Sequence, residues 1–572
     1  MVEPFTESWR PLAAVLISAL AIVLIVASHR RPNVREAWSV LAALGKFAIV
    51  ASMVPGVLDG TEYRWSLGML PGMGDEFVFG VEFALRADAL GMLFALLASF
   101  LWIFTAFYSV GYMRGLDEPN QTRFFASFAA SLSAALGIAF AENLVTIFLF
   151  YELLSVATYP LVAHDETPEA RAAGRKYLAY TFFGGGFLVL AGTALVFVLT
   201  GTTAFGETAT ALAAADPALA RLAFGLLAAG FGVKAALMPM HSWLPDAMVA
   251  PTPVSGLLHA VAVVKSGAFG VARVVLEVFE PNVVSELGVG VVLAAVAAFT
   301  LTVASIIALR QDRLKRLLAY STISQLSYIV LGLGVLGQTA ITGGLLHIPA
   351  HAFMKLTLFF CAGFIHVETH TDYISEMDGI GKRMPLTMAA FAVAAAGMAG
   401  IPLVAGFVSK WYLLIGAVEM GGRHLVFAIV LLVSGVLNIA YFWPIVYGAF
   451  FESHDDADGK PLVEFPLGGH SGAAEAVPDG GTEASNGATT AHDHEGESQG
   501  ENGHDEHSYT DDHHGGPGPG GWERVGWTGG EGSWLMLGPI LAIVSGAVVL
   551  GIVPFEAVFL DLIETIVEGV FA

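Results

Sequence analysis

Charge and cysteine are both scarce in this chain. Of 572 residues only 13% are charged, about half the roughly 25% usual in soluble domains. The single cysteine, Cys361, excludes an internal disulfide framework and any CxxC metal or redox motif. No GxGxxG follows a strand, and there is no P-loop and no HExxH, so no nucleotide, redox cofactor or zincin site is expected. Nothing in the charge pattern suggests a nucleic-acid partner. The first apolar stretch is followed by His29-Arg30-Arg31 and not by a small-residue cleavage site, so it is expected to stay as a helix.

What fills the chain instead is apolar sequence. Hydrophobic residues make up 55% of it, and runs of about 17 or more apolar residues, each long enough for some 30 Å of hydrocarbon, recur along it. The expected fold is an all-α polytopic membrane protein with about 14 transmembrane helices, at 11–28, 37–54, 88–110, 123–141, 143–163, 177–199, 221–240, 254–278, 285–308, 319–337, 341–365, 386–418, 425–450 and 534–553. Basic clusters at Arg30–Arg35, Arg171–Lys176, Arg310–Arg316 and Lys382–Arg383 each follow an odd-numbered span. The positive-inside rule then places both termini outside.

The net charge of −23 is concentrated in one place. From Glu452 to Glu531 there are 18 acidic residues against Lys460 and Arg524, with eight of the 17 histidines. This Gly/His-rich segment, 451–533, has too little apolar surface to fold by itself, and topology puts it in the cytoplasm. Its histidines at 492, 494, 504, 507, 513 and 514 could hold divalent metal, although a solvated loop is the simpler expectation.

Two segments interrupt helices. One runs from Lys234 through Pro239, Pro245, Pro251 and Pro253; the other runs from Gly400 through Pro402 and Gly406 to Lys410. Each proline removes a helix hydrogen bond and crowds the preceding turn, which lipid tolerates only where protein or water meets the freed groups. Two broken helices, each with a lysine, suggest repeated halves around an ion path.

Five of the nine lysines fall inside apolar spans: Lys46, Lys234, Lys265, Lys355 and Lys410. Intramembrane charge is costly and normally faces a wet interior on a proton or ion route. A lysine in apolar surroundings that gains and loses an acidic neighbour can capture and release a proton, whereas arginine stays charged. The acid well inside span five is Glu152, the expected partner of Lys234, in a switchable contact or in a purely structural salt bridge. His347, His351 and Lys355 recur at i, i+4 and i+8 on one helix face, as an imidazole relay requires. Lys265 with His259 is expected to link the lysine sites, although their six-residue spacing puts them on different faces. Lys46 has no partner visible in the sequence.

In order along the chain stand Phe-Tyr-Glu152-Leu-Leu-Ser, then Val-Lys234-Ala-Ala-Leu-Met-Pro-Met-His-Ser-Trp-Leu-Pro-Asp through His259, then His347…His351-Ala-Phe-Met-Lys355, then Gly-Ile-Pro-Leu-Val-Ala-Gly-Phe-Val-Ser-Lys410. Over residues 85–450 these motifs resemble the antiporter-like subunit superfamily. It includes the large subunits of Mrp-type sodium/proton antiporters, the pumping subunits of respiratory complex I, and membrane-bound hydrogenases. The resemblance implies inverted five-helix repeats in spans four to eight (123–278) and nine to thirteen (285–450), between N-terminal helices (1–122) and a last span (534–572), with helices seven and twelve broken. It also implies proton translocation by Glu152, Lys234, Lys265 and Lys410, with His259, His347 and His351 as relay histidines. No sodium-binding residue carries over.

The D-type subunit of an Mrp antiporter is the expected match, because no lateral helix is legible after span fourteen. Such a chain is part of a transporter and not an enzyme, works beside other membrane subunits in the plasma membrane, and exchanges protons for a cation, expected to be Na+. The alternatives are a redox-driven pumping subunit or, from another class, a membrane scaffold of an inorganic-carbon uptake complex.

Overall fold

Backbone groups in lipid must find their hydrogen bonds within the chain, and this chain meets that requirement almost wholly with helices. The computed structural model describes residues 5–70, 74, 76–78, 80–452, 521–525, 530–554 and 558–571. Twelve of the helical segments among them are long and apolar enough to cross a membrane, and two interrupted segments, 252–278 and 385–419, bring the set to fourteen. The first eleven are α1 (Arg10–Ala27), α2 (Pro32–Ala51), α3 (Ala89–Gly115), α4 (Gln121–Ala139), α5 (Leu144–Val162), α6 (Pro168–Thr200), α7 (Pro217–Lys234), α8 (252–278), α9 (Val289–Ala308), α10 (Leu314–Val335) and α11 (Gln338–Thr369). The twelfth is broken into α12 (Pro385–Ala399) and α13 (Ala405–Glu419), and α14 (Leu425–Phe451) and α15 (Trp534–Ile552) follow.

Several boundaries differ from the hydropathy reading, because helices run on past the apolar zone. Arg171, Arg175 and Lys176 lie in the first turns of α6, and Lys315 and Arg316 in those of α10. After α15 a further helix, α16 (Val558–Phe571), packs across α3 and α11. Its apolar residues Leu562, Ile563, Ile566 and Val567 are buried while Glu564 and Glu568 lie on other faces. It is too short and too amphipathic to register as a span.

At the end of the bundle that carries the α2–α3 and α4–α5 connections, short strands β1 (Thr6–Glu7), β2 (Tyr63–Ser66) and β5 (Ala84–Ala87) form a small sheet. β3 (Glu76–Val78) and β4 (Val81–Glu82) form a hairpin beside it. These strands do not cross the bundle.

Most of the acidic segment expected at 451–533 lies outside the described residues. Its described end departs from a solvated loop. Glu531 is buried and accepts from the Thr387 amide at 3.1 Å and from the Leu386 amide, so it caps the N-terminus of α12. A helix N-terminus favours negative charge, which gives this one acid a structural task. Trp522 Nε1 donates to the Asp378 carbonyl at 3.1 Å.

Helix α11 is the hub. It packs against α3, α8, α10, α12, α13, α15 and α16, and the whole of its apolar window is buried within the single chain. In contrast α1, α2 and α6 are buried over only a third of theirs and present side chains such as Leu20, Phe183 and Val198 outward, as lipid- or partner-facing helices should.

Candidate functional site

Both breaks expose backbone groups that the fold then satisfies. α7 ends at Lys234, and Ala236 takes a left-handed φ of 54°. The Val233 carbonyl accepts from Trp243 Nε1 at 2.9 Å as well as from the Ala236 amide at 3.1 Å, and the Met238 amide donates to Thr300 Oγ1 at 3.1 Å. In span twelve, Gly400 closes α12 at φ 90°. Pro402 has no N–H to offer Met398, four residues earlier. The Met398 carbonyl instead accepts from Lys410 Nζ. The end of α12 thereby supplies the lysine's acceptor.

Close backbone packing brings the lysine helices together. A side chain at Gly267 on α8 would meet the carbonyl carbon of Lys234 at 2.7 Å, so α8 sits directly against the end of α7. A Cβ at Gly343 on α11 would meet the Leu413 amide of α13 at 2.6 Å, which draws α13 onto α11.

Lys234, Lys265 and Lys355 and the histidines 259, 347 and 351 are all essentially without solvent exposure. Lys265 Nζ lies 2.8 Å from His351 Nδ1, and that pair can share a proton. His351 and His347 stack with ring centroids 6.0 Å apart. His347 in turn bonds Ser409 Oγ at 2.8 Å through Nδ1 and Gln325 Oε1 at 2.9 Å through Nε2. Tyr328 lies between His347, at 5.3 Å from ring to ring, and Lys410, whose ammonium is 4.7 Å from the Tyr328 ring centre. Lys355 donates to Ser321 Oγ at 2.6 Å and to the Leu318 carbonyl at 3.1 Å. From Lys265 to Lys410 the titratable groups therefore form one line through the core.

The other end is arranged differently. Lys234 Nζ donates to the Tyr151 carbonyl and sits 3.4 Å from the centre of the Tyr151 ring. Glu152 is the next residue, yet its two oxygens make no hydrogen bond and no ion pair with Lys234 is formed. Its carboxylate lies against Gly186 of α6. His259 has no hydrogen-bond partner on either ring nitrogen and packs on Phe359 at 4.9 Å. Lys265 faces α11 and bonds His351, while His259 packs on Phe359 and interacts electrostatically with the same His351. The six-residue spacing on α8 turns the two side chains apart. Lys46 does have partners: the Leu132 carbonyl at 2.8 Å and the Trp102 ring at 5.0 Å.

Sequence reasoning passed over Tyr151, Gln325, Tyr328 and Ser409, which are ordinary residues until folded. Ser409 precedes Lys410 and Tyr151 precedes Glu152, and adjacency to a titratable group was the available signal. A second buried charge cluster was also missed. Arg273 at the end of α8 forms a fork with Asp88 at 2.6 and 2.9 Å and pairs with Glu277 at 2.5 Å. Arg86 joins Asp88, Glu277 and Glu62 at 3.3–3.8 Å. Burial, together with the charge of Asp88, pushes the Glu62 carboxyl up to about 7.

Comparison with known proteins places the chain in a family. Residues 141–437 match the family described as NADH:quinone oxidoreductase/Mrp antiporter, TM, and residues 77–125 match NADH-Ubiquinone oxidoreductase (complex I), chain 5 N-terminus. NADH-quinone oxidoreductase subunit N of Desulforudis audaxviator is 34% identical over 446 residues, which is 77% of this chain and 85% of that protein. A probable K(+)/H(+) antiporter component of Rhizobium meliloti is 32% identical over 439 residues, 75% of this chain but only 41% of the relative. A chain of the Mrp complex from Dietzia sp. shares the fold with a TM-score of 0.75 at 20% identity, covering 98% of this chain and 97% of the other. The chain is a multi-pass integral membrane protein and belongs to the NADH:quinone oxidoreductase/Mrp antiporter family.

Proposed function

We propose that this chain is the proton-translocating subunit of a multi-subunit monovalent cation/proton antiporter, with Na+ as the cation. The observation that carries this is the buried line from Lys265 through His351, His347 and Ser409 to Tyr328 and Lys410. A structural scaffold would lose nothing by replacing those lysines with leucine. The lysine ammonium passes its proton to His351 Nδ1, and the imidazole can release one from Nε2, the two-sided behaviour that makes histidine a relay. His351 Nε2, Gln325 Nε2 and both nitrogens of His259 are buried polar atoms without protein partners. Such atoms normally bond ordered water, and a bridging water would join the rings across the 6.0 Å stack. Glu152 serves as the switchable acid beside Lys234, with Lys355 as a branch of the same α11 stripe.

The basic clusters support an orientation with both termini outside and the acidic 451–533 segment in the cytoplasm; the complex, with its partner subunits, resides in the plasma membrane. The test is cation-induced collapse of a pH gradient in everted vesicles carrying the assembled complex. Na+ pulses should dissipate the gradient; a response to K+ alone would reassign the cation, and no response to either would reject antiport.

A redox-driven pumping subunit is the second reading. It is favoured by coverage of 85% of the NADH-quinone oxidoreductase relative against 41% of the antiporter relative. Flavin or iron–sulfur absorbance co-purifying with the chain would select it.

A further inference from the structure

Away from the lysine line, at the end of the bundle that carries the basic clusters, two connections converge on one histidine. Glu118 lies between α3 and α4, and His164 and Asp165 follow α5. One nitrogen of His164 and one oxygen of each carboxylate all lie within 4.8 Å of one another, with Nε2 at 3.9 Å from Glu118 Oε2. The His164 side chain is fully buried, and neither ring nitrogen has a hydrogen-bond partner. The Pro119 carbonyl stands nearby without hydrogen-bond geometry. A buried imidazole with nothing on either nitrogen is rare in a folded protein, and such groups call for an explanation.

The surroundings hold this imidazole in place. Phe124 packs edge-on against the ring at 5.6 Å. Arg123 Nη2 donates to the His164 carbonyl at 2.7 Å, and Gln121 Nε2 to the Glu118 carbonyl at 3.1 Å. Arg123 also pairs with Glu166, and Lys315 donates to the Ala250 carbonyl at 3.1 Å while its charge faces both carboxylates and that of His366 faces Glu118. Glu118 is partly exposed and Asp165 exposed, so their carboxylates can close on a guest while the histidine stays fixed.

We propose that Glu118, His164 and Asp165 bind one divalent transition-metal ion, with zinc as the favoured guest. Zinc takes imidazole nitrogen and carboxylate oxygen at about 2.0–2.2 Å in tetrahedral sites, which sets ligand atoms roughly 3.3 Å apart. His164 Nε2 and Glu118 Oε2, at 3.9 Å, need about 0.6 Å of closure, and the remaining separations, all within 4.8 Å, need at most about 1.5 Å. An imidazole ligand selects zinc, copper, iron or nickel over magnesium or calcium, which prefer oxygen. The bound ion would clip the α3–α4 connection to the foot of α5. Glu152 lies 12 residues up that helix, about 18 Å away along its axis, so the site is separate from the lysine line.

The test is zinc titration of the purified complex containing the full chain, by competition with a chromophoric chelator, with Co2+ absorption as a second probe. The wild-type chain should bind one more equivalent than His164→Ala, and Glu118→Gln should weaken that equivalent at least tenfold. The histidines of segment 453–520 contribute equally to all three proteins, so the difference isolates this site. Zinc should also raise the thermal midpoint of the wild type but not that of Glu118→Gln, a surface substitution that leaves the bundle intact. Equal stoichiometry in wild type and His164→Ala, or an equal thermal shift in Glu118→Gln, overturns the proposal.

Discussion

Replacing Lys265 with Met and His351 with Leu, singly and together, asks whether the buried line acts as a unit. The two side chains meet at 2.8 Å in a region without solvent. A hydrogen bond to a charged group is worth about 1.5–3 kcal/mol. At about 1.4 kcal/mol per tenfold in rate, losing it from the transfer step slows proton flux by roughly 10- to 150-fold in either single variant. If the two positions contributed independently, the double variant would fall by the product, roughly 10²- to 10⁴-fold. Members of one relay are non-additive: once one is gone the other has nothing to pass on. The double variant should therefore lose no more than the worse single one. The assay is cation-driven pH-gradient collapse in everted vesicles, with assembly of the complex verified by co-purification. A multiplicative loss would refute the relay, and so would a single variant that retains full flux.

Three further outcomes follow from particular contacts. Gly186→Val places a Cβ about 2.6 Å from the Glu152 carboxyl carbon, so flux should fall at least tenfold although every titratable group is retained; unchanged flux in assembled complex would remove Glu152 from the path. Thr300→Val leaves the Met238 amide without its acceptor and should cost about 1–3 kcal/mol, read as a lower thermal midpoint in detergent. The raised Glu62 carboxyl makes the folded state hold more protons than the unfolded chain between about pH 4.5 and about 7, so its contribution to stability falls as pH rises through that window. Glu62→Gln should flatten that limb of the midpoint-versus-pH curve and raise the midpoint at pH 8.

Much of this architecture was legible because lipid permits so few solutions. Apolar run length located the twelve helices long enough to cross a membrane, and the prolines after Lys234 and before Lys410 marked the broken helices, since only protein-lined sites tolerate them. The i, i+4, i+8 spacing of His347, His351 and Lys355 placed them on one stripe because helix geometry is local. What spacing cannot convey is which helix lies opposite. Lys265 reaches His351 because α8 packs on α11. Arg273 meets Asp88 across 185 residues, and neither partner of Lys46 is near it in sequence. Glu531 reads as one more loop acid until it is seen capping α12. Helix α16 was invisible because its 14 residues fall short of a span and its polar face dilutes the apolar signal.

The most direct test of the central claim is proton transport by complexes carrying Glu152→Ala or Lys234→Ala, with cation-dependent pH-gradient collapse measured at matched expression and assembly. The account predicts that either substitution abolishes the cation-dependent signal while the complex still assembles. Undiminished transport by both variants would contradict it, since protons would then be crossing without this acid and base.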